Sequence, residues 1–210
     1  MQFIQEKKLI GEIISNMVAS TSIPVTVKIR TGWDSDSINA PEVTRIAEAA
    51  GAKIISIHGR TRQQKYTGKA NWDHIRECKK AAKSILVIGN GDIFDASSVQ
   101  TLFKQSNCDG ILVSRGTFGQ PWIAENIKRL DKNLSLLNPS IQNHLLEHMK
   151  YIFSYQSKRK ALLDMRRIGC WYLRNGKGTK KLRDLLNRAQ NLSEVENLIK
   201  DYDWSQTSFD

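Results

Sequence analysis

The sequence contains no run of about eighteen apolar residues, so nothing in it reads as a membrane-spanning helix. Its start, MQFIQEKKLI, lacks the basic segment and apolar core of a secretory signal. Cysteine is scarce: Cys78, Cys108 and Cys170 are widely spaced and odd in number. That argues for neither a disulfide framework nor a zinc site, and fits a reducing, cytoplasmic compartment. Acidic residues are scarce in one stretch above all. Between Lys150 and Gln190, twelve Lys and Arg face two Asp, so this block holds nearly all of the chain's net charge of +11. A segregated cationic block is the footprint of a polyanionic partner, because phosphate neutralisation supplies most non-specific nucleic-acid affinity. A merely solvated helix face is the competing reading. The rest is ordinary: 210 residues, 40% hydrophobic and 25% charged, enough for one domain with a smaller appendage.

Short apolar runs recur at Val25–Ile29, Ile54–Ile57, Ile85–Ile88 and Ile111–Val113, spaced about 25 to 32 residues apart. They are rich in Ile and Val and continuous rather than alternating, which predicts strands buried on both faces. Helical patterns fall between them. Glu42–Ala50 stops at Gly51, Trp72–Ala82 is amphipathic, and Asp95–Gln105 opens on an acidic residue suited to an N-cap. A first helix over about Gln5–Ser20 precedes the first run. This (βα) repetition predicts parallel strands joined by crossover helices. Near Asn138-Pro139 the strand pattern ends. Four helices are expected beyond it, over roughly 140–156, 160–175, 179–189 and 193–203, with Ser193 as a cap. The expected domains are therefore 1–135 and 136–210.

In parallel α/β folds, ligands bind beyond the carboxyl ends of the strands. The residues there are Lys28-Ile29-Arg30-Thr31-Gly32-Trp33-Asp34, His58-Gly59-Arg60-Thr61-Arg62, Gly89-Asn90-Gly91-Asp92 and Ser114-Arg115-Gly116. All four ends are polar, cationic or glycine-bearing, while the strand starts are bland. Glycine lets backbone approach a ligand, and its N–H groups near a helix start can cradle a phosphate. Arg115 adds a charge-assisted fork. Simple turns are the plainer reading of each loop alone; taken together they favour an anion site. Lys28 must project from its strand end or find a partner, or else snorkel. His58, plausible as a structural histidine in isolation, gains a ligand role from its place beside Lys28 and the glycine loops.

These residues, in this order, resemble the tRNA-dihydrouridine synthase family, in its bacterial-type branch. The resemblance rests on PVTVKIRTGWD (24–34), IHGRTRQQKYTGKANWD (57–73), IGNGDI (88–93) and DGILVSRGTFGQPWI (109–123). It continues through MRRIGCWYLRNGKG (165–178) and Leu182-Arg183, covering about residues 5 to 200. The resemblance implies the C-terminal half of a (β/α)₈ TIM barrel followed by a small all-helical domain that holds tRNA. It implies FMN as cofactor and NADPH as reductant. Lys28 and His58 match the flavin-ring contacts; Asn90, Gly91, Asp92, Ser114, Arg115 and Gly116 match the phosphate loops. Arg60, Arg62 and the Tyr66–Trp72 loop lie where a flipped-out uridine would approach. Arg166, Arg167, Arg174, Lys177 and Arg183 match the tRNA-binding tail. The implied chemistry is hydride transfer to uridine C6 with protonation at C5.

Two departures qualify this. The resemblance implies a proton-donor cysteine in an Asn-x-x-Cys-Pro loop on the first half of the barrel, a half that these 210 residues are expected to lack. Cys78, Cys108 and Cys170 are not replacements for it by position. The family's Met-Arg-Lys-His in the tail reads Met165-Arg166-Arg167-Ile168. Half a barrel leaves open sheet edges and an exposed apolar face. The chain is therefore expected to be inactive alone, and to be a fragment, a degraded gene product, or a half that pairs with a complementary half-barrel or with itself. A non-catalytic RNA-binding remnant is the second reading. A different phosphate-binding half-barrel enzyme is the third; Trp171-Tyr172 within the cationic block argues against it, since aromatics there can stack on bases, with a helix core as an equal reading of the pair.

Overall fold

The four apolar runs form strands β1 (Thr26–Arg30), β2 (Ile54–His58), β3 (Leu86–Asn90) and β4 (Gly110–Leu112). They pair in parallel in that order, as the (βα) spacing predicts. Helices α2 (Ala40–Ala49), α3 (Trp72–Ala81) and α4 (Ala96–Ser106) connect them, and α1 (Gln2–Ala19) comes first. This computed structural model describes residues 2–209, with side chains from Lys7 onward. Among the described residues, no helix is long and apolar enough to cross a membrane.

Local chemistry accounts for the helix boundaries. Asp95 accepts a hydrogen bond from the Ser98 amide and completes a capping box at the start of α4. Asn71 caps α3 through the Asp73 amide. Gly51, at φ +94°, ends α2 in a conformation that other residues avoid. The Glu48 carboxylate, near the end of α2, accepts from the amides of Lys83, Ser84 and Ile85 and from the Ser84 hydroxyl. These bonds, led by the Ser84 amide, hold its pKa down at about 2 despite burial, and they tie α2 to the entry of β3.

The parallel register sorts the strand residues into two faces. Ile29, Ile57, Gly89 and Ile111 share one row, beside a row of Val27, Ile55 and Val87. This face meets the helices: a Cβ on Gly89 would lie 2.8 Å from Leu102 of α4. Ile55, Ile57 and Val87 are fully buried there. The opposite face carries Thr26, Ile54 and Leu86, then Lys28, Ser56, Ile88 and Gly110, then Arg30, His58, Asn90 and Leu112. Leu86 is 47% exposed on it, and Thr26 and Lys28 are exposed too. The expectation of strands buried on both faces is corrected here. Among the described residues helices cover one face only, and β1 and β4 are the outer strands of the sheet.

The chain divides into two compact units, Met1–Gly116 and Thr117–Asp210. Helix α5 (Ile123–Asp131), which periodicity did not single out, is counted with the second unit, so this division falls earlier than residue 135. The second unit continues with α6 (Ile141–Tyr155), α7 (Lys158–Tyr172), α8 (Lys180–Arg188) and α9 (Leu192–Lys200). Their apolar stripes meet in a core that includes Leu145, Met165, Leu173, Leu182, Leu186 and Ile199. Two expectations change here. Asn191, not Ser193, caps α9, because its side chain takes the Glu194 amide. The tail also contains a short antiparallel pair, β5 (Gly176–Lys177) with β6 (Ser208–Phe209).

Candidate functional site

The carboxyl ends of β1 to β4 form the walls of a cavity of about 160 Å³. All eight residues expected to hold a cofactor line it: Lys28, His58, Asn90, Gly91, Asp92, Ser114, Arg115 and Gly116. The register explains why. Arg30, His58, Asn90 and Leu112 are successive partners in one row across the sheet, with Lys28 one layer below, so five side chains from four strands converge on one surface. Asn90 is fixed in that row by donating from Nδ2 to the Leu112 carbonyl at 2.7 Å.

His58 is 7% exposed and surrounded by cations. Burial first, then the charges of Arg30, Lys28, Arg60 and Arg115, push its pKa down to about 4. At neutral pH it is therefore an uncharged imidazole that can donate one hydrogen bond. Burial and Arg30 also lower the Lys28 pKa. Three cations and one carboxylate, Asp92, face the cavity, so its field favours an anion.

Glycine is required at two rim positions. Gly91 has φ +118°, and a Cβ there would lie 2.8 Å from Ala70 Cβ and 3.0 Å from the His58 ring. At Gly116 a Cβ would meet the Ile93 carbonyl oxygen at 2.0 Å. Both positions press backbone against backbone or ring, and present main-chain groups rather than side chains to the cavity.

Arg60 is placed differently from expectation. It is 3% exposed and does not line the cavity. Its Nη1 and Nη2 meet both Asp92 carboxylate oxygens at 2.7 and 2.8 Å. Its Nε donates to the Thr67 carbonyl and Nη2 to the Gly68 carbonyl. Every polar atom of the guanidinium is thus taken up inside the protein. Asp92 also accepts from the Ala70 amide at 2.7 Å and faces Arg115 Nη2 at 3.3 Å. Burial raises the Asp92 pKa, but the Arg60 and Ala70 hydrogen bonds and the two guanidinium charges outweigh it, and the pKa is lowered. Trp72 donates its indole N–H to the Gly91 carbonyl at 3.0 Å. The loop after β2 is therefore laced to the loop after β3, and the pair sets the position of His58 between them.

Five lining residues fall outside those eight: Arg30, Tyr66, Ile93, Phe94 and Leu112, of which only Arg30, within the first strand end, and Tyr66, at the start of its loop, stand among the strand-end and loop stretches read from the sequence. Arg30 donates to the carbonyls of Thr61 and Lys65 at 2.6 and 2.9 Å, which pins the loop carrying Tyr66. The Arg115 guanidinium lies 4.6 Å from the Tyr66 ring centre and 5.6 Å from that of Phe94. The period-two spacing of Lys28 and Arg30 was the available signal, since it puts both on one strand face.

Arg62 is exposed on the same loop and lies outside the cavity. In the second unit, Arg167, Arg174 and Lys177 are exposed. Arg183 is half-buried and donates to the Arg174 carbonyl at 3.2 Å. Arg166 is turned inward, its Nε and Nη2 donating to the Ala189 carbonyl at 3.2 and 2.6 Å. Ile168, where the resembling family has histidine, is buried in the helical core. Of the Trp171-Tyr172 pair, Tyr172 is buried and its hydroxyl meets His148 Nδ1 at 3.2 Å. Burial first, with the charge of Glu147, raises its pKa to about 12.

The family profile described as dihydrouridine synthase (Dus) matches residues 2–207. The chain belongs to the dihydrouridine synthase family. It is 36% identical over 191 residues to tRNA-dihydrouridine synthase B of Pseudomonas syringae pv. tomato, covering 89% of this chain and 56% of that protein. It is 34% identical over 203 residues to a probable tRNA-dihydrouridine synthase of Rickettsia conorii, covering 95% and 61% respectively. A third relative, tRNA-dihydrouridine synthase B of Pasteurella multocida, is 36% identical over 174 residues, covering 81% and 52%. The chain thus spans about half the length of the curated relatives it matches. A mandelate oxidase mutant superposes on 89% of the chain and 67% of its own at 14% identity and a TM-score of 0.33, a likeness too loose to carry an argument. Against this family background the cysteines stand apart from the rim. Cys78 and Cys108 are buried, Cys170 lies in the helical unit, and none lines the cavity. Burial raises the Cys78 pKa to about 11.

Proposed function

We propose that this chain is the C-terminal portion of a tRNA-dihydrouridine synthase. In this reading it forms half of a (β/α)₈ barrel, one wall of an FMN site, and a helical tRNA-binding unit. The carrying observation is the convergence of Lys28, Arg30, His58, Asn90 and the Gly91 and Gly116 backbones on one cationic cavity, in a member of this family.

The residues present fit the proposed cofactor's anionic end. Gly91 and Gly116 accept no Cβ without striking Ala70, the His58 ring or the Ile93 carbonyl, so bare backbone lines this part of the cavity, and Arg115 stands beside it with a charge-assisted fork. A cavity of about 160 Å³ is smaller than the several hundred Å³ typical of cofactor sites, so the ring would lie against this wall rather than be enclosed by it. When bound, FMN reduced by NADPH supplies the hydride that saturates the uracil ring at C6. Lys28 and neutral His58 hold the ring system, the first through its charge and the second as a hydrogen-bond donor. Arg60 and Asp92 position the loops around it. Arg62 and the Tyr66 loop face the incoming nucleotide. Among the described residues no cysteine lines the rim, so in this reading the cysteine acid that protonates C5 comes from outside this chain, and the chain by itself makes no dihydrouridine. The missing wall and the open edges of β1 and β4 would be supplied by a complementary half-barrel.

Incubating unmodified tRNA with pure chain, FMN and NADPH tests this. The assay is repeated with the segment of the Pseudomonas relative that lies outside the match. Dihydrouridine is expected only in the second case. Its appearance with the chain alone would overturn the missing-acid reading, and its absence in both would overturn the complementation. A non-catalytic RNA-binding role is the second reading, favoured by the exposed Arg167, Arg174 and Lys177; it predicts tRNA binding with no flavin retained.

A further inference from the structure

Two aromatic rings distant in sequence are brought together at the end of α7. Gly119 adopts φ +78°, and a Cβ there would lie 2.4 Å from the Trp171 carbonyl oxygen, so this loop rests directly on the helix backbone. Phe118 is thereby laid flat on the Trp171 indole, with ring centres 4.1 Å apart and planes 9° from parallel. Arg167, one turn earlier on α7, brings its guanidinium carbon to 5.0 Å from the same indole. Its side chain is well exposed and also meets Asp164 Oδ1 at 3.2 Å. Trp171 packs against the helical core, whereas Phe118 is not part of that core and is 45% exposed. Core packing therefore accounts for Trp171 and leaves Phe118 without a structural reason to be held parallel on it.

We infer that Phe118, Trp171 and Arg167 form a stacking platform for one unpaired nucleobase of an RNA. Every base has a π-face, so a rigid ring with its neighbouring surface in water accepts a base without reading its sequence. A guanidinium beside the stack either extends it or holds the flanking phosphate. An apolar protein partner would call for a broader apolar patch. Here Trp171 and Arg167 belong to the segment of twelve cations and two carboxylates between Lys150 and Gln190, which is complementary to a polyanion. This rests on the proposed tRNA-binding role and narrows it to a single-stranded element of the RNA.

The test compares binding of a short single-stranded RNA with the same RNA annealed to its complement, using wild type, Phe118→Ala, Phe118→Tyr and Arg167→Gln. Phe118 is exposed, so neither substitution there should disturb folding, which circular dichroism checks. Wild type is expected to prefer the single strand. Phe118→Ala should lose about tenfold in affinity for it, with little change on the duplex and an unchanged salt slope. Phe118→Tyr should keep the wild-type affinity, and Arg167→Gln should lower the salt slope. Equal single-strand affinity in wild type and Phe118→Ala, or equal losses on both RNAs, overturns the platform while leaving the tRNA-binding reading intact. A chain that binds neither RNA overturns both.

Discussion

Arg60 and Asp92 meet end to end across the loops that follow β2 and β3, with both guanidinium Nη atoms on both carboxylate oxygens at 2.7 and 2.8 Å. Arg60 is almost completely shielded from water, so removing its partner strands a buried charge. Asp92→Ala or Arg60→Ala should each cost about 3 kcal/mol by urea denaturation, in the range for breaking a buried pair. The double substitution should cost less than the sum, because neither charge is then left alone. Additive losses would mean that the two residues act independently.

The depressed pKa of His58 makes stability pH-dependent with a defined sign. The unfolded chain takes up a proton at this residue near pH 6.5, whereas the folded chain resists protonation until about pH 4. The His58 contribution is therefore fully present above pH 6.5 and is lost as pH falls from there through about 4. His58→Gln should flatten that part of the profile. Inorganic phosphate, bound beside the same cations, should raise the His58 pKa when its ring resonances are titrated by NMR. No response to phosphate would argue against an anion site at this rim.

Glu48 should matter in a lower window. Its carboxylate, held down at about pKa 2 by the Ser84 amide foremost, contributes stability above pH 4.5 that disappears as pH falls through about 2. Glu48→Gln should lower the melting temperature at neutral pH and reduce its dependence on pH over that window. An unchanged melting temperature would show that the tie between α2 and β3 is energetically idle.

In the helical unit, cations of similar sequence context should behave differently. Replacing exposed Arg174 by Gln should lower the slope of log affinity for tRNA against log salt by about one and leave folding intact. Arg166→Gln should instead destabilise the unit, because its guanidinium bonds to the Ala189 carbonyl. Thermal melts beside salt-dependent binding curves separate the two.

Most of the first unit was legible from Ile and Val runs and from the residues that terminate helices. Asp95 caps α4 and Gly51 ends α2 as their types dictate. The eight rim residues were legible because a parallel sheet gathers its carboxyl ends. What escaped is what depends on partners distant in the chain. Arg60 reads as a free cation beside Arg62, yet Asp92, thirty-two positions away, turns it inward. Tyr66 reads only as the start of a loop near the nucleotide, and nothing in the sequence shows that Arg30 and Arg115 come within 5.8 and 4.6 Å of its ring. Ser193 satisfies a capping pattern, but Asn191 lies where the α9 amides point. Continuous apolar strands imply two covered faces, and Leu86 shows that the described chain covers one.

The most direct test of the account is the affinity of the pure chain for FMN against riboflavin, followed by quenching of flavin fluorescence. If Gly91, Arg115 and Gly116 form a phosphate cradle on a flavin wall, FMN should bind about tenfold or more tightly than riboflavin. Arg115→Gln should erase that difference. Equal affinities, or no binding of either, would contradict it.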